Sequence, residues 1–135
     1  MNDPLLDTDI FIHALTHDLH SAVCQSLLRA LSSGTCRAIL DPLVVHELTY
    51  VLPRYVKNMT RDDVAQYLTS VISWDGVIAD KETLIESLRL WSTQPVAFID
   101  AYLAARAGGE DRPVYTRNVV DLESGGAIVP ESWPT

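Results

Sequence analysis

Four carboxylates interrupt or directly follow apolar segments, where an ordinary surface acid would be unusual. They are Asp7, Glu47, Asp100 and Asp121. If they lie close together they cannot all be ionised without a cation, because like charges raise one another's pKa. The hard ions Mg²⁺ and Mn²⁺ prefer such oxygen ligands, and they are the usual means of hydrolysing phosphodiester bonds. The residue types therefore indicate metal-dependent hydrolysis of a phosphate ester, provided that the fold brings the four acids together.

Each acid also has an ordinary structural explanation. Glu47 and Asp100 could be acids near a helix start, where the helix dipole favours negative charge. Asp121 could belong to a turn, and a polar residue after Asp7 could simply cap the next helix. A cap does not explain two carboxylates two residues apart, Asp7 and Asp9, at the end of an apolar pair. It is the pattern of all four acids that favours a functional site.

The elements that must position these acids alternate along the chain. Short apolar runs predict strands at 5–6, 35–40, 76–79, 113–116 and 127–129, and helical spacing predicts helices at 9–15, 17–31, 41–53, 60–73, from 80 onward, and 98–107. Alternating strands and helices imply a parallel sheet with helices on both faces. The acids that follow strands then gather at the carboxyl edge of the sheet, where ligands bind in open α/β folds. Asp100 joins them if its helix begins at that edge.

Four local signals set the expected helix ends. Thr60, with Asp63 three residues later, predicts a capping box. Pro53 is expected to end or kink its helix. Gly34 and the pair Gly108-Gly109 are expected to terminate the helices that precede them.

Composition limits the class of protein. The 135 residues suit one domain, 1–135, and 47% hydrophobic residues indicate a globular chain. No apolar run approaches the roughly 20 residues that span a bilayer, and the first residues lack the positive charge of a secretory signal. The net charge of −8 argues against a general nucleic-acid coat protein. It permits an enzyme that holds nucleic acid through a bound cation and a few local arginines.

The other candidate metal ligands lack a recognised spacing. We therefore interpret the cysteines as reduced thiols of a cytoplasmic protein and the histidines as surface or structural residues. These residues are Cys24, Cys36, His13, His17, His20 and His46.

Four segments occur in an order that is typical of one family. LLDTDIFI, VVHELTYVL, FIDAYLAARA and VYTRNVVDL together resemble the PIN-domain proteins, and in particular the VapC toxins of toxin–antitoxin pairs. The resemblance covers nearly the whole chain. It implies a three-layer α/β fold, in which helices flank a twisted, mainly parallel sheet. It also implies a Mg²⁺- or Mn²⁺-dependent endoribonuclease that cleaves RNA with metal-activated water, forms a homodimer, and is blocked by a VapB-like antitoxin.

The family's acids carry over to this chain by motif. Asp7, Glu47 and Asp100 match the three core acids of the family. The fourth match departs from the commonest pattern, because many relatives have an acid directly after the Thr-Arg pair, where this chain has Asn118. Other relatives have Asn there and an acid three residues later, which corresponds to Asp121.

The resemblance also assigns supporting residues. Thr8 and Thr116 match hydroxyl positions that orient ligands or water in the family. Asp9 is a candidate acid behind the metal ligands, and Arg117, from its place in the motif, is a candidate phosphate contact.

Two other functions remain open at this point. Asp7-x-Asp9 after an apolar pair also opens the motif of phosphatases that use an aspartate nucleophile. The residues after Asp9 do not fit that motif, and the chain has no room for a cap domain. Alternatively, the substitution at Asn118 could mark a catalytically degenerate domain that only binds an antitoxin.

Overall fold

The computed structural model describes residues 2–134, and helices dominate them, with about 60% helix and 4% strand. The helices are α1 Thr8–Leu15, α2 Ser21–Ser33, α3 Pro42–Tyr55, α4 Arg61–Ser73, α5 Lys81–Thr93, α6 Phe98–Glu110 and α7 Val119–Ser124. The strands are β1 Ala38–Ile39 and β2 Val77–Ile78. No helix in residues 2–134 combines the length and the apolarity needed to cross a bilayer.

The predicted three-layer α/β fold, with helices flanking a twisted, mainly parallel sheet, is wrong. In residues 2–134 the sheet consists of β1 and β2 alone, paired in parallel with Ala38 opposite Val77. Leu5 adds a single parallel bridge to Ile39. A PIN-like fold needs a larger central sheet than these two-residue strands supply.

The two predicted strands at 113–116 and 127–129 are also wrong, and their hydrogen bonds give the physical reason. Among the described residues, one backbone hydrogen bond joins the two segments, from Val114 N–H to the Ile128 carbonyl at 2.9 Å. Pro113 has no N–H to donate. The Thr116 hydroxyl instead accepts a hydrogen bond from Asn118 N–H, which turns the chain. One bond is not a ladder, so the pairing does not extend.

The chain divides into two compact units, which are Met1–Lys81 and Glu82–Thr135. In the first unit, α1 packs against α2 and α3, α4 packs against α3 and β2, and β1 pairs with β2. Its largest fully buried side chains lie mainly on helices: Phe11, Leu31, Leu40, Leu48, Leu52, Leu68 and Ile72. The apolar helix faces therefore form most of this core.

The local helix signals of the first unit are mostly confirmed. Thr60 and Asp63 form the capping box at the start of α4. Gly34 ends α2 with a left-handed backbone, at φ 79°. Pro53 does not end α3, which continues for two more residues to Tyr55.

In the second unit, α6 packs against α7, and α5 contributes a buried stripe. The predicted stripe of Leu84, Leu88 and Trp91 is confirmed. The Trp91 ring meets the Phe98 ring edge to face at 6.4 Å between centroids. Gly125 lets α7 end close to α6, since a Cβ there would lie 2.7 Å from that of Ala104.

The predicted end of α6 at Gly108-Gly109 is wrong. The helix runs to Glu110 and ends at Asp111, whose backbone is left-handed. Glu110 Oε2 accepts a hydrogen bond from Arg106 Nε at 2.6 Å, and Oε1 accepts one from Arg112 Nε at 3.1 Å. These bonds hold the last turn helical and lower the pKa of Glu110.

The two cysteines are free thiols, as predicted. Cys24 is buried on α2, and this burial raises the pKa of its thiol, with a smaller contribution from the charges of Asp9 and Asp18. Cys24 is therefore a protonated packing residue at neutral pH.

The turn between α1 and α2 depends on Asp18. Its Oδ2 lies 2.7 Å from His13 Nδ1, and its Oδ1 accepts the His20 N–H at 2.8 Å. Thr16 donates its hydroxyl to the same carboxylate. The hydrogen bond with His13 is the main cause that lowers the pKa of Asp18 to about 2.

We expect Asp18→Asn to destabilise the protein at neutral pH and to lose this effect in acid. A carboxylate whose pKa is lowered by folding stabilises the native state above its unfolded pKa of 3.8, and this stabilisation disappears as the pH falls to about 2. Urea unfolding of both proteins between pH 2 and 7 measures the difference. A difference that stays constant over that range would contradict the assignment.

A second prediction concerns Gly76, which lies against the backbone of the last turns of α2 and of Cys36 beyond it. A Cβ there would be 2.2 Å from the Cys36 carbonyl oxygen and 2.6 Å from that of Leu31. Backbone atoms cannot move away cheaply, so Gly76→Ala should lower the free energy of unfolding by about 1–3 kcal/mol or more. Gly109→Ala is the control, because nothing lies within 4 Å of its Cβ position. The control should be neutral or stabilising, and equal effects of both changes would refute the prediction.

Candidate functional site

Asp100 lies in the first turn of α6. Phe98 and Ala101 on either side of it are buried and fix this turn in the second unit. Asp100 itself is only partly covered. The helix start therefore holds a carboxylate at a defined place while leaving it accessible to solvent.

Asp121 is positioned by the short helix α7. Leu122 beside it is fully buried and anchors the helix. Asn118 directly precedes α7, and its N–H donates to the Thr116 hydroxyl at 2.9 Å. The turn at Thr116 thus sets where α7 begins, and with it the direction of the carboxylate of Asp121.

One side-chain amide brings the two acids together. Asn118 Nδ2 donates to Asp100 Oδ2 at 2.9 Å and to Asp121 Oδ2 at 2.9 Å. The positive end of the amide dipole therefore lies between two negative charges. A cation at the same place would also be stabilised by them. The structure brings together Asp100, Asn118 and Asp121. We call the two acids, together with the amide that joins them, the amide-bridged pair.

The donor set of the amide-bridged pair suits a hard cation. Rotation of the Asn118 amide would present its oxygen in place of its NH₂ group, so the three side chains can offer only oxygen atoms. Such a set fits Mg²⁺ or Mn²⁺ better than ions that prefer nitrogen or sulfur. Within residues 2–134, no group of three or more His, Cys, Asp or Glu side chains has an arrangement that could hold a metal ion. The amide-bridged pair has two acids and one amide.

The remaining predicted acids lie in the first unit. Asp7 directly precedes α1, is exposed, and makes no side-chain hydrogen bond that caps the helix. Thr8 is buried and Asp9 is exposed at the start of α1. Glu47 is exposed on α3, which packs against α1. That Asp7 and Glu47 join Asp100 and Asp121 in one site stays a prediction.

The sequence reasoning missed the surroundings of Arg117. Its guanidinium carbon lies 6.0 Å from the centroid of the Trp133 ring, and Tyr115 meets the same ring at 5.5 Å. No sequence signal could have found this contact, because 16 positions separate Arg117 from Trp133 and no periodicity connects them.

No protein-family model matches the chain, and the search of curated proteins finds no match either. The chemistry of the amide-bridged pair therefore has to be argued from its own geometry.

We expect Asn118→Asp to destabilise the protein in chelator and to make its stability respond to Mn²⁺. The change replaces two hydrogen bonds, each worth about 0.5–1.5 kcal/mol, with a third negative charge beside two others. Added Mn²⁺ should then raise the melting temperature of the variant more than that of the parent. Calorimetry in EDTA and in Mn²⁺ measures both effects.

Asn2→Asp is the control for that experiment, because it makes the same chemical change at an exposed position. If the two variants respond equally to chelator and to Mn²⁺, Asn118 does not bridge the two carboxylates.

Proposed function

We propose that the protein is a Mg²⁺- or Mn²⁺-dependent endoribonuclease that acts as the toxin of a VapBC-type pair. The observation that carries the proposal is the amide-bridged pair, in which the NH₂ group of Asn118 lies between the carboxylates of Asp100 and Asp121. The space between the two carboxylates favours a positively charged partner. A divalent ion is the partner that gives them a hydrolytic role.

The chain's own residues would act as follows. Asp100, Asp121 and the rotated amide of Asn118 would bind the cation. That Asp7 and Glu47 are further ligands stays a prediction from the sequence. A divalent ion supplies a Lewis acid and a nucleophilic water at neutral pH. Every other contribution has to come from residues that hold and orient the RNA.

Charge supports the need for a cation at this site. The net charge of −8 repels a polyanion such as RNA, so phosphates must be neutralised locally. Arg117 follows Thr116 directly and is exposed. Among the described residues it forms no ion pair, which leaves its guanidinium available for a phosphate. Binding that uses such contacts should weaken as the salt concentration rises.

The same proposal includes partners. A toxin of this class is expected to form a homodimer and to be held inactive by a cognate VapB-like antitoxin. Both partners rest on the resemblance of the four sequence segments to VapC toxins.

A second candidate function is a partner-binding domain without catalysis. The observation that favours it is again Asn118, because its NH₂ group already satisfies one oxygen of each acid. If the amide keeps this orientation, the acids need no metal ion. The domain would then act only through the antitoxin.

We expect cleavage of single-stranded RNA in Mg²⁺ or Mn²⁺ and its loss in excess EDTA. Asp100→Asn should lower the cleavage rate by a hundredfold or more, since even groups that only support metal ligands contribute ~10–100-fold. Asp62→Asn is the matched control, because Asp62 is exposed on α4 in the first unit. The control should cleave at the parent rate.

Two outcomes would contradict the proposal. Cleavage that is equal in chelator and in Mg²⁺ would rule out the metal-dependent mechanism. Failure of titrated Mn²⁺ to bind, together with absent cleavage, would favour the partner-binding domain.

A further inference from the structure

An open pocket of about 650 Å³ lies in the second unit beside the amide-bridged pair. Thr116, Arg117, Glu123, Glu131 and Trp133 line it. Thr116 connects the pocket with the site, because its hydroxyl accepts the N–H of Asn118. The volume is in the usual range for small-molecule sites, about 300–1,000 Å³, so a nucleobase with its sugar can enter.

The pocket offers an aromatic surface and a cation. Trp133 is 39% exposed, so a ligand in the pocket can reach this residue. Tyr115 lies against that ring at a 46° tilt, and Arg117 lies over it at 6.0 Å. Indole rings and guanidinium groups are the surfaces on which proteins stack unpaired bases. A flat, π-rich ligand therefore fits this wall.

The acids of the pocket restrict the ligand further. Glu123 and Glu131 repel a phosphate, so the base, and not the backbone, has to face them. An ionised carboxylate only accepts hydrogen bonds. Among the four RNA bases, guanine alone presents two adjacent donors, N1–H and the N2 amino group, along one edge. Two parallel bonds to one carboxylate are the strong bidentate arrangement.

We propose that this pocket binds the guanine base of a guanosine nucleotide, stacked on Trp133 and read by the carboxylate of Glu123 or Glu131. The proposal rests on the proposed function in one respect. If the chain is a ribonuclease, the ligand is an unpaired guanosine of the RNA, held next to the amide-bridged pair.

Binding of mononucleotides in EDTA tests the pocket without any catalysis. The full chain is titrated with 5′-GMP, 5′-AMP, 5′-CMP and 5′-UMP, and the indole ¹H–¹⁵N signal of Trp133 is followed. We expect 5′-GMP to shift that signal and to bind about tenfold more tightly than the other three. Equal affinities for all four, or no shift with 5′-GMP, would overturn the proposal.

Variants separate stacking from recognition of the base edge. Trp133→Ala should weaken 5′-GMP binding by about tenfold, because the base loses the ring on which it stacks, and calorimetric titration measures this since the variant has no Trp133 signal. Trp133→Phe keeps a ring and should retain the preference for guanine. Tyr55→Ala is the control, because it removes another exposed aromatic side chain, 59% exposed, from the first unit. A loss as large in the control as in Trp133→Ala would refute the stacking.

Glu123→Gln and Glu131→Gln test whether a carboxylate recognises the N1–H and N2 amino edge of guanine. When the carboxylate that accepts the hydrogen bonds of guanine is changed to an amide, the protein should lose its preference for 5′-GMP. The amide NH₂ is a donor and faces the two donors of guanine. We expect one of the two variants to bind 5′-GMP and 5′-AMP with similar affinity. Unchanged preference in both variants would overturn the role of the carboxylates.

A further titration distinguishes the source of the guanosine. The oligonucleotides r(UUGUU) and r(UUAUU) are compared with 5′-GMP, again in EDTA. Tighter binding of r(UUGUU) than of 5′-GMP supports an RNA guanosine, and the reverse order supports a free guanosine nucleotide. Guanine binding without cleavage in Mg²⁺ would uphold the pocket and reject the nuclease. Cleavage without guanine binding would support the nuclease and reject the pocket as a guanine site.

Discussion

The second unit depends on one electrostatic constraint, which is that two carboxylates meet at the same nitrogen. Asp100 and Asp121 would repel each other at this distance if nothing positive lay between them. The amide of Asn118 supplies that positive end through two hydrogen bonds of 2.9 Å. Because an amide carries no net charge, it reduces the repulsion without neutralising either acid. The arrangement is therefore stable in the free protein and still favours the binding of a cation.

The packing around the two acids fixes the position of α7 relative to α6. Leu122 is fully buried, which fixes α7, and Gly125 permits the helix to end against Ala104 of α6. A side chain at Gly125 would have to push the two helices apart. Since Asp100 is on α6 and Asp121 is on α7, any such displacement would separate the acids that Asn118 joins. The relative position of the two carboxylates therefore depends on how α6 packs against α7.

Local signals in the sequence predicted most of the helices, and they failed where distant parts of the chain decide the outcome. The capping box of Thr60 was predictable because both of its partners lie within four residues. A strand needs a partner elsewhere in the chain, and the apolar run at 113–116 has a single backbone bond to 127–129. The same distinction holds at the site. Asp100 and Asp121 could be selected as unusual acids, but the bridge through Asn118 depends on how α6 packs against α7.

Charge connects the pocket with the amide-bridged pair. If the protein binds RNA as proposed, its negative net charge repels the RNA, so recognition must come from short contacts that compensate for this repulsion. Arg117 provides one positive group, whereas Glu123 and Glu131 exclude phosphate from the same space. A cation at Asp100 and Asp121 would neutralise protein and phosphate charges together. The acids of the pocket are then left to accept hydrogen bonds from the base, which is a role that a uniformly basic groove could not perform.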